Sequence, residues 1–142
     1  ALVAAGVYET RSDAFADAVR ATSNYYLPTP SPTTHDVVAA VKGAGGVTVI
    51  AHAGDPRRNR TLLTDRQIES LITEGLDGLE VWHRGNPPEQ RERLLAIAGK
   101  HDLLVTGGSD WHGKGKPNVL GENLTDDETV QEIINRRVHL SK

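Results

Sequence analysis

Three short apolar runs, "VTVIAH" (47–52), "GLEVWH" (78–83) and "LLVTG" (103–107), alternate along this chain with stretches of helical spacing. The helical stretches lie near 33–43, 64–74, 87–100 and 126–136, the first two ending at glycines. Strands that alternate strictly with helices build right-handed βαβ units, so the expected class is α/β with a parallel sheet. In such folds the loops at the carboxyl ends of the strands leave the scaffold on one face and carry the chemistry. His52 ends the first run, His83 ends the second, and Asp110 and His112 follow the third, so all four are expected on that face.

Composition narrows the function classes. With 142 residues the chain suffices for about one domain with a modest core. The net charge of −3, with Lys and Arg scattered apart from one short cluster, lacks the footprint of duplex binding; a single phosphorylated substrate stays compatible. No cysteine is present, so there is neither a disulfide framework nor a thiolate metal site, and a metal would have to use His, carboxylate and water. This fits a reducing, cytoplasmic setting. Apolar runs such as "VTVIA" fall far short of the ~20 residues of a membrane span, so no membrane partner is expected. The chain opens on Ala, contains no Met, and begins with "ALVAAGV", which reads as the end of a helix; a fragment of a longer protein is expected.

Residues 1–31 are Ala-rich and helical in period, with Ser12 as expected N-cap of "DAFADAVRA", and run into the Pro-rich hinge "YYLPTPSPTT". "GAGGVTVIAHAG" is no dinucleotide fingerprint, because its glycines precede the strand instead of linking strand to helix.

The segment "GGSDWHG" (107–113) places Asp110 and His112 two apart among glycines. In an extended stretch both side chains project to the same side and can grip one divalent ion. A strand-end His such as His52 is by itself more often a satisfied polar residue, but three strands ending this way favour a metal site. "DPRRNR" (55–60) follows His52 and offers Arg57, Arg58 and Arg60, whose guanidinium groups bind phosphate bidentately; a solvated basic loop is the plainer reading. His83 suits a substrate-positioning, proton-donating or metal-ligating role, and spacing does not decide among them. Glu80 and Trp82 are explained by barrel packing. His35, His101 and His139 read as structural, Ser109 as a turn-closing hydroxyl, and Lys114 and Lys116 as solvated lysines within reach of a phosphate.

Taken in order, "AAVKGAGGVTVIAHAGDP", "GLDGLEVWH", "LLVTGGSDWHG" and "LGENL" resemble the C-terminal half of the PHP (polymerase and histidinol phosphatase) family, in particular its small metal-dependent phosphoesterases acting on nucleotides. The resemblance implies that residues 1–31 are the end of a helical insertion and a Pro-rich linker, and that 32–142 are the C-terminal half of a distorted βα barrel. It implies His52, Asp110 and His112 as metal ligands, in a cluster of two or three Mn, Fe or Zn ions when the site is complete. It further implies Arg57 and Arg58 as substrate-phosphate contacts with His83 as a catalytic residue, and hydrolysis of a small nucleotide-type phosphate ester, or an oligonucleotide end, through metal-activated water. Ala53 departs from the family's "AHP" segment, and the family's N-terminal half, with its HxH pair, is missing from this sequence. Weak metal affinity, no useful turnover, and self-association through open strand edges are therefore expected of the 142 residues alone. Two other readings remain: a non-catalytic module of this fold that binds a phosphate ligand or a protein, and a metal-dependent amide or amidine hydrolase, in which the arginine loop would have no evident task.

Overall fold

The computed structural model describes residues 1–59, 61–113 and 117–136. The described chain divides into two units: one of Ala1–Ser31 with His112–Pro117, and one of Pro32–Trp111 with Asn118 onward.

The first unit holds one short helix, α1 (Arg11–Ala16). Its N-cap is Thr10 and not Ser12: the Thr10 hydroxyl accepts from the Asp13 amide at 3.2 Å, and the Asp13 carboxylate accepts from the Thr10 amide at 3.0 Å. That reciprocal pair needs an acid three residues after the cap, a spacing Thr10 has, which places Ser12 inside the first turn. Residues 1–7 form a helical turn closed by Val7 N–H to the Leu2 carbonyl and Gly6 N–H to the Val3 carbonyl, each at 3.0 Å. The opening segment, expected as the end of a helix, is a hydrogen-bonded turn with no helix before α1.

The second unit follows the expected alternation: α2 (Thr34–Gly43), β1 (Val49–Ile50), α3 (Asp65–Thr73), β2 (Gly78–Trp82), α4 (Pro88–His101), β3 (Leu104–Gly107) and α5 (Asp127–Arg136). The three strands lie in the order β1-β2-β3, both pairs parallel. Capping boxes open α2 and α3 at Thr33/Asp36 and Thr64/Gln67. The bonds from Thr33 hold the Asp36 carboxyl below its ordinary range. Each helix before a strand ends in the same bonding pattern. In α3 the Leu76 amide reaches back to the Leu71 carbonyl at 3.0 Å across Gly75, whose φ of +106° only glycine adopts without strain.

Period-two alternation in β2 sends Leu79 and Val81 into the core and leaves Glu80 half-buried and Trp82 exposed on the other face. The core beneath the sheet joins Leu79 and Val81 to Val38 of α2, Ile68 and Leu71 of α3, and Leu94 and Ile97 of α4. Leu79 and Leu94 are fully excluded from solvent, and burial of such side chains stabilises by roughly 1.5–3 kcal/mol each. α5 packs more loosely: a groove of about 550 Å³ lies between it and β3, lined by Leu103, Leu104, Glu128 and Glu132 among others.

At the amino ends of β1 and β2 the polar groups of Asp77, Lys42 and Thr48 match one another. The buried Asp77 carboxylate takes the Lys42 ammonium at 2.9 Å, the Thr48 amide at 2.8 Å and the Thr48 hydroxyl at 3.2 Å. This closes the base of the sheet and fixes the register of β1 against β2. No described helix is long and apolar enough to cross a membrane.

Candidate functional site

The carboxyl ends of the same strands are organised differently. Pairing of β1 stops at Ile50, and the chain turns at His52, whose φ is +36°. A non-glycine residue there carries local strain of about 1–3 kcal/mol, tolerated when surrounding contacts over-determine it. Those contacts are present: the His52 amide donates to Glu80 Oε2 at 2.5 Å, and the His52 carbonyl accepts from the Asp55 amide at 3.0 Å. Two residues on, the Gly54 amide donates to Asn86 Oδ1 at 3.1 Å. Asn86, itself 1% exposed, spends its Nδ2 hydrogens on the Glu80 and Val81 carbonyls at 3.0 and 2.9 Å. One amide side chain therefore ties the loop after β1 to the end of β2.

Asp55 completes that tie. Its buried carboxylate accepts from the Arg57 amide at 2.9 Å and lies 3.8 Å from Arg58 Nε. A Cβ on Gly85 would stand 2.0 Å from Asp55 Oδ2, so only glycine allows the two loops to approach this closely.

His83 ends β2 and is 2% exposed. Its Nδ1 accepts the Gly85 amide at 3.1 Å, so that nitrogen carries no proton and the neutral ring is protonated at Nε2. Nε2 is buried and makes no hydrogen bond, and the same holds for Nδ1 of His52. The two rings sit 5.5 Å apart, tilted by 55°. Buried polar atoms are nearly always satisfied, so the unpartnered nitrogens of these two adjacent imidazoles, with Arg91 Nε, stand out among the described residues.

The third strand brings Asp110. Thr125 clamps the end of β3, its hydroxyl taking the Gly107 amide at 3.0 Å and giving to the Gly107 carbonyl at 3.1 Å. The Gly108 amide then donates to the Trp82 carbonyl at 3.0 Å. Asp110 follows with φ of +50°, a second strained non-glycine residue at this end of the sheet, and its carboxylate pairs with the Arg58 guanidinium.

Two of the expected site residues thus meet two others: His52 with His83, and Asp110 with Arg58. Arg57 is exposed, with its amide engaged by Asp55. Asp110 falls in the second unit and His112 in the first. Among the described residues no three His, Asp or Glu side chains converge into a cage for a metal. His35 pairs with Glu74 at 2.6 Å and His101 lies 3.4 Å from Glu69. Arg60, Lys114, Lys116 and His139 lie outside the described residues.

Three participants escaped the sequence reading: Glu80, Asp55 and Asn86. Glu80 had a visible signal, as the one charged residue in a strand of otherwise uncharged side chains. Asp55 and Asn86 had none, because loop polar residues are common and only the fold shows which two loops touch.

No family model matches the chain. Over 98% of its length it superposes, with a TM-score of 0.89 and 79% identity, on the crystal structure of a Bifidobacterium adolescentis protein described as a metal-dependent phosphoesterase, and it covers 49% of that chain. It is 35% identical over 81 residues to the 3',5'-nucleoside bisphosphate phosphatase of Chromobacterium violaceum, a match covering 57% of this chain and 28% of that protein. It is 37% identical over 79 residues to the phosphoribosyl 1,2-cyclic phosphate 1,2-diphosphodiesterase of Eggerthella lenta, covering 56% of this chain and 28% of that one. The chain thus spans less than half the length of each of these proteins. It is thus similar in sequence and fold to a protein described as a metal-dependent phosphoesterase, and in sequence to a phosphatase and a phosphodiesterase.

Proposed function

We propose that this chain is the C-terminal half of a PHP-type barrel, with residues 1–31 the end of a helical insertion and its linker, and that the whole protein hydrolyses a small nucleotide-type phosphate ester. The observation that carries the reading is the contrast between the two ends of one sheet. At the amino ends Asp77, Lys42 and Thr48 satisfy one another; at the carboxyl ends the His52 and His83 rings keep orphaned buried nitrogens, and Asp110, in left-handed backbone, pairs with an arginine. Imidazole and carboxylate together suit divalent Mn, Fe or Zn. His52, Asp110 and His112 would hold such ions jointly with ligands from the other half. When bound, the ions supply Lewis-acid stabilisation of the phosphoryl group and acidify a water.

The other roles belong to side chains present here. With Nδ1 occupied by the Gly85 amide, His83 has no lone pair at Nε2 to give a metal and only one ring proton. A proton lost from a neutral ring would leave an imidazolate, so His83 serves as a hydrogen-bond donor to a phosphoryl oxygen, keeping its proton throughout. Arg58, the more exposed member of its pair with Asp110, offers a forked guanidinium to the same phosphate, with Arg57 beside it in the loop. The relatives support the substrate class, one being named for a nucleoside bisphosphate and the other for a phosphoribosyl cyclic phosphate.

The test is hydrolysis of nucleoside 3',5'-bisphosphates and of a generic aryl phosphate by the longer gene product, with and without a chelator. Metal-dependent release of phosphate that His52→Ala abolishes supports the proposal. Metal-free or absent hydrolysis, with phosphate ligands still bound, would turn it toward a binding module.

A further inference from the structure

We infer that Glu80 is a positioning residue, whose carboxylate sets the loop after β1 and the loop after β3 relative to each other and so brings His52 and Asp110 to one end of the sheet. The inference rests on the proposed function for the roles of His52 and Asp110; the contacts themselves do not depend on it.

Glu80 sits mid-strand in β2, the central strand, on the face turned away from the core. An acid there is half removed from water, which is unfavourable unless a donor meets it. The donor is the His52 amide, 2.5 Å from Oε2. That amide has lost its strand partner, since the β1 ladder ends two residues earlier at Ile50, opposite Leu79. The other oxygen, Oε1, reaches across to the third loop: a Cβ built on Gly108 would lie 2.2 Å from it. One carboxylate therefore touches the backbone of both ligand-bearing loops, two residues before Asp110 in one case and at His52 itself in the other. Both of those residues hold left-handed backbone, φ +36° and +50°, which an unsupported loop would relax.

What the geometry asks of residue 80 is an acceptor of the right length, not a negative charge. Gln supplies the same oxygen at the same reach; Ala supplies none. A direct ligand or general base would need the carboxylate itself, so the two variants separate the roles.

Two readouts are taken on Glu80→Gln, Glu80→Ala and Gly108→Ala. Hydrogen exchange of the His52 amide is followed in this chain, and manganese affinity with kcat and KM in the longer gene product. Glu80→Ala should deprotect the His52 amide by on the order of tenfold or more, weaken manganese binding by about ten- to a hundred-fold and lower kcat with little change in KM. Gly108→Ala should deprotect the same amide by displacing the carboxylate. Glu80→Gln should stay within about threefold of wild type on every readout. The inference is overturned if Glu80→Gln is as damaging as Glu80→Ala, or if the His52 amide in Glu80→Ala exchanges as in wild type. Should wild type bind no manganese while the amide pattern appears as expected, the proposed function fails and the positioning of the loops by Glu80 stands.

Discussion

Gly85 leaves no room for a methyl group: its Cβ would lie 2.0 Å from a buried carboxylate that is fixed by the Arg57 amide. Gly85→Ala is expected to destabilise by about 1–3 kcal/mol, since Asp55 is buried and could yield only by giving up its bond to the Arg57 amide. Denaturant unfolding measures it, and an unchanged midpoint would show that the loops yield. The same glycine sets the His83 tautomer, which gives a second expectation. His83→Gln, which keeps a side-chain N–H, should retain more activity in the longer protein than His83→Ala. At this scale the sequence was legible in part. His52, His83, Asp110 and Arg58 could be picked out because strand ends and paired motifs announce them. The bond from Gly85 to His83 could not, because it depends on the direction of an amide in a loop, and no residue type encodes that.

The helices of the second unit are specified locally, and their boundaries follow from their caps. Thr33 and Thr64 each stand three residues before an acid or amide that returns the bond, and glycines near 45 and 75 close α2 and α3. Thr64→Ala is expected to cost about 1 kcal/mol, read as a shift in the unfolding midpoint. The Asp36 cap is pH-dependent, and its sign follows from the direction of the shift. Because Thr33 lowers the Asp36 pKa in the folded chain, the cap's contribution is fully present above the ordinary carboxylate range and is lost as pH falls through that range and below. The Thr33 amide, which donates to the Asp36 carboxylate, should lose protection over that acidic window, and Asp36→Ala should remove this acid-dependent loss. Strands were less legible than helices. "VTVIAH" reads as six strand residues, whereas β1 pairs over two, because Thr48 is drawn to Asp77 and His52 turns away to meet Glu80. The expected cap at Ser12 failed for a related reason: a residue with a reciprocal partner, Thr10, outcompetes a lone hydroxyl.

For the whole molecule, the alternation of strand and helix was enough to give a parallel sheet, and the same alternation placed His52, His83 and Asp110 at its carboxyl ends. What the alternation could not give is closure. Among the described residues the sheet has three strands, with β1 and β3 each paired on one side, and α5 stands off β3 across an open groove. Unpaired edges and an uncovered face invite a second copy. The isolated chain is accordingly expected to self-associate, with a mass by light scattering that rises with concentration; a constant monomer mass would contradict this. Among the described residues no three acidic or imidazole groups form a cage unaided. In the proposed account the remaining ligands come from the part of the protein beyond this chain. The most direct test is metal content by plasma mass spectrometry, on this chain and on the longer gene product, each with its His52→Ala and Asp110→Ala variants. The account predicts bound Mn, Fe or Zn in the longer protein, sharply reduced by either substitution, and almost none in the chain alone. A longer protein that carries no metal, or one whose metal is indifferent to His52 and Asp110, would contradict it.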